Sequence, residues 1–182
     1  NWRYTPHRHI IASYMTNTDC ILSWHVNAPG KILKNLNWLE YNSFTNKKII
    51  DGIKTLRQKT FSIDHNEVQS EAVEDVDDFA IPGDGQPLLS STLSESYKKS
   101  FCAVVTETRF AQPTANLSEK TTNAIFHNRP FIIVGPPHSL EYARKLGFKT
   151  FNKWWDESYD AETNHQTRMT KILNLIESIN SK

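Results

Sequence analysis

Short apolar runs alternate with helical patterns along the chain, most clearly in its second half. "FCAVVT" (101–106) and "FIIVG" (131–135) are brief and rich in β-branched residues, as buried strands are. Between them Ser118 stands ahead of "EKTTNAIFHN", where it can cap a helix, and Pro130 follows that helix's end. "SLEYARKLG" reads as a second helix, with Ser139 as its cap and Gly147 as its stop. "FKTF" (148–151) reads as a further short strand. "AETNHQTRMTKILNLIESIN" closes the chain as an amphipathic helix whose apolar side carries Met169, Ile172, Leu173, Ile176 and Ile179.

The first half is less regular. "RHIIASYMTN" has helical spacing, with Ile10, Ile11, Tyr14 and Met15 on one side, and "CILSWHV" (20–26) is a strand candidate before a turn at "NAPG". "TLSE" at 92–95 has the form of a capping box opening a short helix through Lys99. Strands separated by helices predict an α/β chain with a mostly parallel sheet, its strands being 20–26, 101–106, 130–135 and 148–151. No internal repeat is present, and 182 residues suit one domain of ordinary size.

Charge is distributed in blocks. Residues 31–59 hold seven basic residues against Glu40 and Asp51, whereas 60–97 hold nine acidic residues and no Lys or Arg. The stretch 64–90, with Pro82, Gly83, Gly85 and Pro87, is expected as an irregular acidic excursion on the surface. The net charge is only +1, which argues against a field that draws in nucleic acid or a membrane. No apolar run spans a bilayer and no leader-like segment opens the chain. A first residue of Asn rather than Met fits a piece of something longer.

Metal chemistry finds little support. Cys20 and Cys102 lie in apolar runs and read as buried free thiols. His7 and His9 sit two residues apart, which points them to different sides of a helix. Asp75-Val76-Asp77 is the sole D-x-D and falls in the acidic excursion. No metal site and no required cofactor is therefore expected.

Parallel α/β sheets bind ligands beyond the carboxyl ends of their strands. Three loops are placed there: "TETRF" (106–110), "GPPHS" (135–139) and "TFNKWWDESYD" (150–160). The helix start "SEK" (118–120) is expected beside the first two. Its backbone N–H groups and Lys120 suit a phosphate, and Glu119 suits the vicinal hydroxyls of a ribose. On spacing alone, Ser-Glu at a helix start is ordinary capping and is the stronger reading.

Taken together, "YKKSFCAVVTETRF", "LSEKTTNAIFHNRPFIIVGPPHS" and "LEYARKLGFKTF" resemble the nucleotide-sugar-binding half of GT-B glycosyltransferases, nearest the α-1,3-fucosyltransferase type. The chain is also similar to a loose group of bacterial and viral proteins carrying "SEKT", "PFIIVG", "GFKTF" and "DESYD" in this order. The likeness covers residues 97–160; "NWRYTPHR" matches more weakly, and 27–96 reads as a variable, insertion-like region.

The resemblance implies a Rossmann-like nucleotide-sugar-binding domain over residues 1–182. It implies that Arg3 or Arg8 and Lys120 hold the donor diphosphate and that Glu119 holds the ribose. Thr106, Glu107, Ser118, Gly135, His138 and Ser139 complete the expected site. It also implies a preceding acceptor-binding domain on the same polypeptide, so that this half alone transfers little. Asn116-Leu117-Ser118 is a glycosylation sequon lying on the expected site, so the same reading places the protein in the cytoplasm, unglycosylated. The competing reading is a nucleotide- or glycan-binding module without catalysis.

Overall fold

A computed structural model describes residues 6–15, 18, 20 and 91–181. The expected strand at 20–26, the basic block at 31–59, the acidic excursion at 64–90 and Arg3 lie outside the described residues.

The described elements run α1 (Pro6–Met15), α2 (Ser91–Lys99), β1 (Ala103–Thr106), α3 (Glu119–Phe126), β2 (Phe131–Val134), α4 (Ser139–Lys145) and α5 (His165–Asn180). The two strands pair in parallel, with Ala103 opposite Phe131 and Thr106 opposite Val134, and the crossover between them carries α3. The chain is thus of mixed α/β class, with a β-α-β unit at its centre. The N–H of Ala103 donates to Pro130 (2.8 Å) and that of Glu107 to Val134 (3.0 Å), which extends the ladder past both ends of β1.

All four residues of β2 are buried, so both faces of that strand are covered. α5 packs against β2 and α1, and α1 packs against β1. The expected apolar side of α5 is the one that enters the core: Met169, Ile172, Leu173 and Ile176 are buried, and Leu175 joins them. From α1, Ile10, Ile11 and Tyr14 do the same.

Three local expectations are corrected. Residues 148–151 form no strand. Oxygens 130 and 134 face β1, so the N–H of Ile133 points to the opposite edge of β2, where a further strand would dock. The Tyr159 hydroxyl accepts that N–H instead (3.2 Å), and Phe151 donates its own N–H to Glu157 Oε1 (2.6 Å). Ser139 is the first residue of α4 and not its cap, which is His138. The capping acceptor comes from far along the chain: Asp160 takes the N–H of Leu140 at 2.8 Å and of Glu141 at 2.9 Å. Finally, α2 begins at Ser91, so Thr92 lies inside the helix and not ahead of it.

Candidate functional site at the end of β1

Three elements meet where β1 ends, and Glu107 is their common partner. Its side chain has no solvent exposure. Oε1 accepts the backbone N–H of Ser118 (3.0 Å) and the hydroxyl of Thr121 (2.6 Å), both in the opening turn of α3. Oε2 is also buried and has no hydrogen-bond partner among the described residues. From α1, the buried His7 donates from Nε2 to the Glu107 carbonyl (2.8 Å), which assigns the proton to that nitrogen. Arg8 reaches Thr106 O and Thr108 Oγ1 with Nη2, each at 3.5 Å.

Gly135, one residue after β2, closes the site from the other strand. A Cβ there would stand 3.1 Å from Ile133 Cγ2 and 3.3 Å from both Cβ and Cγ of Glu107. The glycine therefore supplies the space that the Glu107 side chain occupies.

Ser118 caps α3 as expected, its hydroxyl accepting from Lys120 N at 3.3 Å. Glu119 and Lys120 follow in the first turn and pair with each other through Glu119 Oε1 and Lys120 Nζ. Partial burial raises the Glu119 carboxyl, but Lys120, its own backbone N–H and the Ser118 hydroxyl outweigh this and hold it below the ordinary glutamate value. The Glu119 side chain remains largely exposed and that of Lys120 half-buried, so the pair lies on the surface of the helix start.

The structure thus ties Arg8, Thr106, Glu107, Ser118 and Gly135 together, with Glu119 and Lys120 adjoining. His138 and Ser139 are bonded elsewhere. His138 is exposed, adopts a left-handed backbone (φ 65°) and pairs with Glu141 through Nδ1 at 2.9 Å. Ser139 is buried and donates its hydroxyl to Pro136 O at 2.7 Å. The amides opening α4 already meet Asp160, so that helix start carries a carboxylate of the chain itself.

Sequence reasoning missed His7, Thr121 and Arg168. Arg168 is buried and lies over the face of Phe110, 4.3 Å from the ring centroid, while His7 stacks on the same ring at 5.3 Å. The guanidinium donates to the carbonyls of Phe110 and Glu162, and so secures the loop that follows Glu107. Burial lowers its pKa to about 10, which leaves it charged at neutral pH. Thr121 had a readable signal, since it stands three residues after Ser118, on the same side of a helical turn. Arg168 had none, because a basic residue in an amphipathic helix reads as solvent-facing.

Both cysteines are free, and burial pushes the Cys102 thiol up to about 12. Among the described residues there is no cluster of His, Cys, Asp and Glu suited to a metal, and no helix long and apolar enough to cross a membrane. No protein-family model, curated protein or solved structure matches the chain.

Proposed function

We infer that this chain is the donor-binding half of a glycosyltransferase, a Rossmann-like domain that holds a nucleotide-sugar beyond the carboxyl end of β1. The observation that carries the reading is the docking of the α3 start against that strand end through Glu107, with Arg8 joined to the same turn. Parallel strands with a helix start at their carboxyl ends form a common setting for phosphate, because the helix dipole favours an anion there. Lys120 and Arg8 supply the positive charge for a diphosphate, and Glu119 accepts the hydroxyls of a ribose once Lys120 turns to the phosphates. In transfer without a metal, the same cations stabilise the leaving diphosphate. The acceptor and the catalytic base come, on this reading, from a preceding domain of the same polypeptide.

A thermal-shift panel of GDP-, UDP-, ADP- and CMP-sugars, with inorganic pyrophosphate alongside, tests the reading directly. One nucleotide class should raise the melting temperature; no shift with any of them removes the proposal. Losing a charge-assisted hydrogen bond typically costs about 1.5–3 kcal/mol, or roughly ten- to a hundred-fold in affinity. Lys120→Ala should weaken binding of the active nucleotide by that order without unfolding the domain. Glu119→Ala should weaken the nucleotide more than pyrophosphate, which has no diol. Parent-like affinity in both variants, read by calorimetry, would leave the helix start as a cap alone.

A further inference from the structure

Glu107 is satisfied on one side only. Oε1 carries both hydrogen bonds to the α3 start, while Oε2 of the same carboxyl is buried with no partner among the described residues. A buried carboxyl is costly unless its lone pairs are filled, and here only one of its two oxygens is filled. What this one achieves is geometric. It fixes Ser118, the residue directly ahead of Glu119 and Lys120, against the end of β1, while its own carbonyl holds His7 of α1. Gly135 leaves room for its Cβ and Cγ, so β2 also constrains where it sits.

We propose that Glu107 is a positioning residue: its carboxyl sets the α3 start at the angle from which the first turn meets a nucleoside diphosphate. It acts through Ser118 and Thr121 and does not itself touch the ligand, in keeping with its complete burial. The ligand half of this inference rests on the nucleotide-sugar reading; the positioning half does not.

Two measurements separate them. Amide exchange at Ser118, followed by NMR, reads the anchoring without any ligand. Calorimetry with GDP, UDP, ADP and CMP, and with pyrophosphate, reads the consequence for binding. Glu107→Ala should speed Ser118 exchange at least tenfold and weaken the bound nucleotide by about tenfold, with the stoichiometry of folded molecules kept at one. Glu107→Gln keeps an acceptor oxygen for Ser118 and Thr121, and should restore most of both. Should Glu107→Ala fail to fold, Thr121→Val removes one of the two bonds at nearly constant shape, and should speed the same amide and weaken binding about threefold. A purely structural role predicts a lower melting temperature with the parent Kd among the molecules that remain folded, and that result overturns the proposal. Unchanged Ser118 exchange in Glu107→Ala or Thr121→Val overturns it as well. If the parent binds none of the probes, the nucleotide-sugar reading fails, while Ser118 exchange still decides whether Glu107 anchors the helix.

Discussion

Tyr159 and Asp160 are adjacent, both buried, and each completes the backbone of an element far from it in sequence. Tyr159 closes the open edge of β2 with a single hydroxyl, and burial raises that phenol well above its ordinary value. Removing the hydroxyl leaves the buried N–H of Ile133 without its acceptor. Tyr159→Phe is therefore expected to cost about 1–3 kcal/mol, the usual penalty for an orphaned buried donor. Asp160→Ala strands two donors at the start of α4 and also removes a negative charge favourable to the helix dipole. It is expected to cost at least as much, about 2–4 kcal/mol. Urea unfolding of both variants measures this, and a midpoint matching the parent in either would show that its bonds add nothing. Arg144, with Nη2 3.8 Å from Asp160 Oδ2 and Nη1 3.1 Å from Glu157, is half-exposed and should contribute far less when replaced.

At the scale of elements, α3 and α4 end in the same way. After α4, Gly147 (φ 90°) donates to Arg144 O at 2.9 Å and Phe148 to Ala143 O at 3.1 Å. After α3, Asn128 (φ 52°) donates to Ile125 O at 2.9 Å and Arg129 to Ala124 O at 3.0 Å. Both are Schellman endings, which need a left-handed residue just past the cap. At Gly147 nothing lies within 4 Å of an added Cβ, so Gly147→Ala isolates backbone strain from crowding. The expected loss is about 1 kcal/mol. Asn128→Gly relieves the same strain and is expected to be neutral or slightly stabilising; thermal melts of the pair check both signs.

Such endings were half-legible. Gly147 is a recognisable stop, whereas Asn128 lies inside a stretch that reads as helix through to 128 and owes its role to the turn it makes. β1, β2 and the apolar face of α5 were legible because periodicity and burial agree there. The 148–151 segment was not, because "FKTF" has strand composition while its partner is a tyrosine hydroxyl that no local pattern reveals. For the site, Ser118 was readable as a cap from its place ahead of the helix. The hub role of Glu107 depends on Gly135, Thr121 and His7, which only the fold brings together.

For the whole molecule, ionisation sets a stability window with a different cause at each end. On the acid side, Glu141 is lowered by Lys145 and His138, Glu162 by the Asn164 N–H and Lys171, Asp156 by Ser158, and Glu95 by Lys98. A carboxyl lowered on folding contributes stability that is complete above its ordinary value, 4.5 for glutamate, and is lost as pH falls through the folded value. On the alkaline side, Tyr159 is raised by burial, and Tyr14 by burial and its bond to Glu177, which joins α1 to α5. For these the ordinary value is 10, so their contribution is complete below pH 10 and is lost above it, as the unfolded chain ionises first. Burial also lowers His165 from its ordinary 6.5 and raises Cys102 from its ordinary 9.0, so the melting temperature, followed by circular dichroism, should be flat only between about pH 7 and 8.5 and fall on both sides. A plateau that continues to pH 3 would show that the carboxyl pairs contribute nothing. Salt distinguishes the two edges further. The acid-side pairs are largely exposed, so 0.5 M NaCl should flatten that slope, about 4 Å being the Debye length there. The Tyr159 hydroxyl is buried, and its edge of the window should stay where it is. An alkaline edge that moves with salt as the acid edge does would mean that surface charge, and not the closing of β2 by Tyr159, governs it.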